Sequence, residues 1–426
     1  MGDVIEIKHG YAFDGTYFRD EPPGDILLTP GNFEIGGGFK ADKFKYYDGP
    51  VPEEFALTEG DLLVTMTDLS KAADTLGYPA IVPKLKGRRY LHNQRLGKVL
   101  ILANAPIHGM FLYFLLRTRE YRDEVLASAT GTTVKHTSPS RIKEFSFLRP
   151  PIEEQRAIAE VLATLDDKIE LNRRTNETLE AMARAIFKSW FVDFDPVRAK
   201  AEGRQPFGMD AATAALFPDS FQDSPLGKIP KGWRVAAIGE DFNLTMGQSP
   251  PGETYNEDGD GLAFFQGKTD FGFRYPSKRM YCTAPTRLAD AGDTLVSVRA
   301  PVGAINMANE KCCIGRGVAA LRHKNGSRSY TYYAAHAQKE AFEQFEAEGT
   351  VFGSLGRKDF EAILSVSPPT SLAERFEQMA FPFDQRVENN EHESRTLAAL
   401  RDALLPKLIS GEIRLKQAEK PSETKA

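Results

Sequence analysis

One long stretch of this sequence occurs twice. Residues 150–190 read PPIEEQRAIAEVLATLDDKIELNRRTNETLEAMARAIFKSW, and residues 368–408 read PPTSLAERFEQMAFPFDQRVENNEHESRTLAALRDALLPKL. Pro150 is matched by Pro368, 218 positions on, and the same offset pairs Asp166 with Asp384, Ile169 with Val387, Asn172 with Asn390 and Leu179 with Leu397. No insertion or deletion interrupts the match. That period is far too long for a solenoid repeat, so the chain reads as a duplicated domain plus helix.

Each copy carries a heptad seam. In the first, Ile158, Leu162, Leu165, Ile169, Asn172, Asn176, Leu179, Ala183, Ile186 and Trp190 follow at alternating steps of four and three, with charged residues outside. The second keeps Phe376, Ala380, Phe383, Val387, Asn390, Ser394, Leu397, Arg401, Leu404 and Leu408. Pro382 falls inside it, and an interior proline breaks a helix whereas a first-turn proline does not. The expectation is therefore a short helix, then a long one from Asp166 to Trp190 and from Asp384 to Leu408, with Thr164 capping the first. Each long helix would measure roughly 36 Å. Two helices with matching heptads would pack as a coiled coil, antiparallel if a pseudo-two-fold relates the halves. Ile169, Asn172, Leu179, Val387, Asn390 and Leu397 would set its register, with the two asparagines meeting across the seam; the alternative turns both asparagines to solvent.

The flanking segments differ in texture. Residues 1–149 have Gly-rich turn signals at 36–38 and short apolar runs at 61–67, 79–82 and 97–102 that read as strands, with one helix over 109–128. Residues 195–228 read as a linker, and 229–367 as a second domain of the same kind. Glu59–Thr65 is echoed by Ala291–Ser297, Arg95 before Gly97 by Arg316 before Gly317, and Gly131-Thr132 by Gly349-Thr350. Helical regions then span 150–194 and 368–411, followed by a polar tail over 412–426 expected to be disordered. The class is α+β: two similar mixed α/β domains separated by a pair of long helices.

No run of 18 apolar residues exists, so no membrane span is expected. The three cysteines, Cys282, Cys312 and Cys313, lack CxxC or HxxxH company, which fits a reducing cytoplasm and no metal site. No nucleotide-binding glycine loop, methyltransferase Pro-Pro-aromatic loop or nucleophile–base set is present, so no catalytic residue is expected. What remains are basic residues interleaved with aromatics: Lys84, Lys86, Arg88, Arg89, Tyr90, His92 and Arg95 in the first domain, and Lys268, Arg274, Tyr275, Lys278, Arg279, Tyr281, Arg299 and Arg316 in the second. Lys and Arg neutralise phosphates, and Arg reads guanine edges. The net charge of −5 argues weakly against nucleic acid but leaves room for a local basic face.

The motifs Pro150–Arg156, Leu165–Ile169, Phe187–Val197 and Leu408–Ile413, in this order and duplicated layout, resemble the specificity subunits of type I restriction–modification enzymes. The resemblance covers essentially the whole chain. It implies two target-recognition domains, each reading half of a bipartite, asymmetric site in double-stranded DNA. It further implies helices that dock two methyltransferase subunits, joined by restriction subunits, in the cytoplasm. Glu154, Gln155, Arg156, Phe187 and Trp190 would be docking residues. S-adenosylmethionine, ATP and magnesium would sit on those partners, with no cofactor here. Two departures stand out: the chain begins close to the first domain's core, and the second copy keeps only Ala373-Glu374-Arg375 of the Glu-Gln-Arg string. Rival readings are a coiled-coil scaffold with two protein- or carbohydrate-binding domains, and the recognition half of another restriction–methylation enzyme. If the helices act as a ruler, four residues added to both, near Thr175 and Glu393, lengthen the unread spacer and leave both half-sites unchanged. Mapping methylated sites checks this, and an unaltered spacer rules the ruler out.

Overall fold

A computed structural model describes residues 1–70, 72–347 and 353–415. Gly349-Thr350 and the tail from Lys416 lie outside the described residues. The chain forms two compact units, one of residues 1–170 with 393–426 and one of residues 171–392.

Both long segments are single helices, Ile152–Phe191 and Thr370–Ile409, 40 residues each. The expected break after a short helix is absent. Thr164 does not cap; its hydroxyl donates to the Glu160 carbonyl at 2.8 Å, as a mid-helix threonine does. Pro382 sits on the exposed side of an unbroken helix. Its cost is one missing donor toward residue 378 and a crowded carbonyl, which the buried neighbours Ala380, Asp384 and Val387 outweigh.

The seam holds along both helices, with each of its residues buried or half-buried. In the second unit Asn172, Asn176 and Asn390 are at most 2% exposed. Asn390 donates to the Asn176 side chain at 2.8 Å, and Asn172 points its amide at the Asn390 carbonyl at 3.5 Å. The partners descend as the first helix ascends, from Asn172 against Asn390 to Phe187 against Phe376, so this pairing is antiparallel. In the first unit Asp166 meets Arg401 and Lys168 meets Glu393, again antiparallel.

The helical regions are not domains of their own, because their apolar faces complete the cores of the two units. Ile158, Ala159, Leu162, Leu405 and Leu408 join the first core. Ala183, Phe187, Trp190, Phe376 and Ala380 join the second. The expected linker is likewise structured. It forms helices Asp195–Ala201 and Ala211–Ala215 and a hairpin of Phe221–Ser224 with Gly227–Pro230, and it buries Phe194, Val197, Phe217 and Ile229. Arg375 ties it down through Asp210 at 2.9 Å and the Thr213 hydroxyl at 2.7 Å.

The two units share one sheet plan. In the first, a four-stranded antiparallel sheet runs Ile5–His9, Leu96–Ile101, Leu62–Thr65, Pro79–Ile81. A five-stranded sheet beside it runs Phe18–Arg19, Lys45–Tyr47, Asp25–Leu28, Tyr90–His92, Ala56–Leu57. In the second unit the same orders recur as Phe242–Met246, Val318–His323, Thr294–Ser297, Ile305–Met307, and as Tyr255–Asn256, Tyr281–Cys282, Leu262–Phe265, Cys312–Ile314, Leu288–Ala289. Each five-stranded sheet has one parallel pair, Asp25–Leu28 with Tyr90–His92 and Leu262–Phe265 with Cys312–Ile314. The expected 109–128 helix is two helices, Gly109–Leu115 and Arg119–Ala127. Thr118 caps the second by accepting from the Tyr121 amide.

One strand lacks a counterpart. In the second unit Arg234–Ala237 pairs with Leu364–Ser367, and the next amide, Ile238, donates to the Ile363 carbonyl at 2.9 Å. In the first unit the Met1 ammonium donates to the Phe145 carbonyl at 2.6 Å, and no strand pairs with residues 146–149 among the described residues.

Pro382→Ala removes an exposed ring and restores a donor, so it raises the stability of the second unit by about 2–3 kcal/mol. A higher urea midpoint is the expected result, and a lower one contradicts this account of the helix.

Candidate nucleic-acid interface

The parallel pair in each five-stranded sheet aligns two strand exits, and the second unit gathers cations there. Leu262–Phe265 exits into Gln266-Gly267-Lys268, and Cys312–Ile314 into Gly315-Arg316-Gly317. The exits are bonded to each other, with the Gly315 amide donating to the Phe265 carbonyl at 2.8 Å. Val298, beside Arg299, donates to the Gly317 carbonyl at 2.9 Å, and Gln248 donates to the Ile314 carbonyl at 3.0 Å. A side chain at Gly317 would stand 2.2 Å from the Gln266 carbonyl, so only glycine lets these exits pass so closely. Lys268, Arg299 and Arg316 are all exposed there, with no ion-pair partner among the described residues.

Asp270 stiffens this corner. It is 3% exposed, accepts from the Gln266 amide at 2.7 Å, and holds Arg279 at 2.9 Å. Lys278 is similarly engaged with Glu310 at 2.7 Å. These two surface cations are thus partly neutralised. Arg274 leaves the set altogether. It is fully buried among Glu180, Asp384, Tyr332 and Tyr333, where no duplex reaches it.

In the first unit the sequence cluster is split between opposite ends of one strand. Lys84, Lys86, Arg88 and Arg89 precede Tyr90–His92, and Arg95 follows it. Arg89 is held by Asp25 and Glu53, both at 2.7 Å, Lys84 lies 3.9 Å from Glu59, and Arg88 stacks over Tyr46. Lys86 is exposed at the same end. His92 is 2% exposed, bonded to the Leu96 carbonyl at 2.9 Å, and burial pushes its pKa down to about 4. It carries no surface charge at neutral pH. Tyr90 and Tyr275 are core residues rather than platforms for stacked bases.

Arg95 occupies the strand exit that matches the cationic corner of the second unit. Its carbonyl accepts from Met66 at 2.8 Å, and Met66 in turn accepts from Thr137 at 3.0 Å. Tyr11 joins there through the His92 carbonyl at 2.8 Å, and His136 through the Thr67 hydroxyl at 3.1 Å. Tyr11, Lys135 and His136 went unnoticed in the sequence, because only sheet pairing brings residues 11, 95 and 135–136 together. The Arg95 and Arg316 echo is also off by one. Thr65 pairs with Leu96 and Ser297 with Val318, which sets Arg95 against Gly317 and Gln94 against Arg316.

The residues singled out for docking divide. Gln155 is fully buried, accepting from the His108 amide at 2.8 Å and donating to the carbonyls of Pro106 and Pro150 at 3.0 and 2.8 Å. It fastens the helix start to the first domain. Phe187 and Trp190 are each 5% exposed inside the second core. None of these three is open to a partner. Arg156 is exposed and pairs with Glu153 at 2.7 Å, and Glu154 is half-buried. Among the described residues no His, Cys, Asp or Glu group could hold a metal ion, and no helix is long and apolar enough to cross a membrane.

Comparison with known proteins finds relatives of one kind. The family described as the type I restriction modification DNA specificity domain matches residues 1–181. A candidate type I restriction enzyme specificity subunit of Methanocaldococcus jannaschii is 28% identical over 81% of this chain and 82% of its own. The HindI specificity subunit of Haemophilus influenzae is 27% identical over 71% and 77%. A crystal structure of a type I restriction–modification S subunit from M. genitalium covers 96% of this chain and 94% of its own, with 17% identity and a TM-score of 0.55, and so shares the fold. With its duplicated sheets, its paired helices and these relatives, the chain is similar to the specificity subunits of type I restriction–modification enzymes.

Proposed function

We propose that this chain selects the DNA sequence for a type I restriction–modification system, without chemistry of its own. One observation carries the reading. The same strand-exit corner is built twice on the same sheets, yet it is furnished differently: Tyr11, Arg95, Lys135 and His136 in one unit, Gln248, Lys268, Arg299 and Arg316 in the other. A shared scaffold with unlike side chains at one corner suits two unlike half-sites, hence a bipartite, asymmetric target. Exposed cations supply the phosphate attraction that holds a duplex in register, and the side chains between them supply base discrimination.

Two methyltransferase subunits and restriction subunits are the partners in this reading, with S-adenosylmethionine, ATP and magnesium on those subunits. The exposed helix side chains Glu153 and Arg156 are the first place to look for a partner contact.

The test compares two sets of neutralising substitutions in the chain assembled with its methyltransferase partner. Lys268→Gln, Arg299→Gln and Arg316→Gln combined lower specific affinity by at least tenfold near 150 mM salt. They also flatten the salt dependence by about 0.9 per lost phosphate contact. Lys278→Gln and Arg279→Gln, whose charges are already paired, have a smaller effect. Fluorescence anisotropy on duplex DNA over a salt series measures both. Salt-independent binding, or none with partners supplied, would leave a scaffold for protein or carbohydrate ligands as the better reading.

A further inference from the structure

The duplicated aspartates, Asp166 and Asp384, do the same job with different partners. In the first unit Asp166 takes Arg117 of the first domain at 2.5 Å on one oxygen and Arg401 of the other helix at 2.6 Å on the second. The Arg117 guanidinium is 5% exposed, lies 5.1 Å from the Tyr113 ring centre, and donates to the Gly36 carbonyl at 2.8 Å. In the second unit Asp384 takes Arg274 at 2.7 Å and the Tyr333 hydroxyl at 3.0 Å. The Arg274 guanidinium lies 4.0 Å from the Tyr332 ring centre and also reaches Glu180 of the first helix at 3.1 Å.

The cations come from different places in the chain. Arg117 follows the helix Gly109–Leu115, whereas Arg274 lies in the loop after Leu262–Phe265. Both lock the same loop. In the first unit that loop is bracketed by the Phe33–Phe39 bridge and supplies the Gly36 carbonyl; in the second it is bracketed by Phe271–Pro276 and supplies Arg274 itself. Gly37 has φ +88°, and a side chain there would stand 2.8 Å from the Arg117 side chain, so the loop is shaped around this arginine. Two guanidiniums placed over tyrosines of a helix in each unit, bonded to the Tyr113 and Tyr333 hydroxyls, aimed at duplicated aspartates and drawn from different places in the chain, mark a geometric requirement rather than inherited sequence.

We infer that Asp166 and Asp384, with Arg117 and Arg274, are positioning residues for DNA reading: each pair holds its recognition domain at one rotation on the helices beneath it. Apolar packing between a domain and a helix tolerates sliding, whereas a buried guanidinium whose donors are divided among separate partners has one satisfactory geometry. Arg117 divides its donors between Asp166, the Gly36 carbonyl and Tyr113, and Arg274 gives one to Asp384 and a two-donor fork to Glu180. In the second unit the latch and the reading corner share one loop, with Lys268 six residues before Arg274. A loosened latch therefore shifts the corner against the duplex. This inference rests on the sequence-specificity reading above.

The test uses the full chain with its methyltransferase partner and S-adenosylmethionine, and maps methylated sites. Arg274→Met, Glu180→Gln and Asp384→Asn combined leave no unpaired buried charge, and Arg274→Lys keeps the charge but loses the fork. Both variants should lose at least tenfold of the discrimination between the native spacer and spacers one base pair longer or shorter, the lysine variant less than the triple. The first half-site stays unchanged. Thermal midpoints are read alongside. A midpoint shift with spacer discrimination intact in either variant makes the latch purely structural and overturns the inference. A wild-type chain that directs methylation to no bipartite site overturns the specificity reading instead, which separates the two failures.

Discussion

Everything in this molecule depends on a pair of helices whose apolar seams are too narrow to stand alone. A heptad stripe buries against one partner, and the remaining circumference of each helix must face water or another core. Here it faces the cores. Each long helix gives its first part to one unit and its last part to the other, so neither unit has a complete core without both helices, which lie far apart in sequence. A recognition domain cut at its sequence boundaries would expose the aromatic faces that Phe187, Trp190 and Phe376 now cover.

Polar groups within this packing supply geometry rather than bulk stability. The asparagines at the seam of the second unit hydrogen-bond only when the helices stand in one register, and a slip of one heptad would leave their amides unsatisfied. The aspartate latches act in the perpendicular sense, between helix and domain. Gln155 closes a third direction by stitching the helix start to the Pro106 carbonyl and the His108 amide of the first domain. A scaffold that holds its loops in one placement needs such directional contacts, because apolar surfaces alone permit near-equivalent packings.

The division between repeated scaffold and differing exit loops also explains how one fold carries two differently furnished corners. Sheet order, parallel pair and strand exits recur in both units, while the residues at the exits do not. Cations already engaged by carboxylates, such as Arg89 and Arg279, shape the domains. Lys268, Arg299 and Arg316 are exposed, with no ion-pair partner among the described residues. Net charge across the chain hides this arrangement, because the two long helices, with 15 acidic and 11 basic residues, carry −4 of the net −5.

The sequence by itself determined the duplication, the heptad seam with its antiparallel asparagine contact, and the mixed α/β class of the flanking domains, because periodicity and offset are local, countable properties. It also placed strands near 62–65, 79–81 and 96–101 within a residue or two. It misjudged Pro382, since propensity is a local penalty that tertiary burial of neighbouring residues overrode. It misjudged Arg274, Gln155, Phe187 and Trp190, since residue type does not tell whether a side chain faces a core. Only the tertiary structure decided which cations share a surface. Tyr11, Arg95, Lys135 and His136 converge through strand pairing across 125 positions, and no one-dimensional pattern records which strand lies beside which.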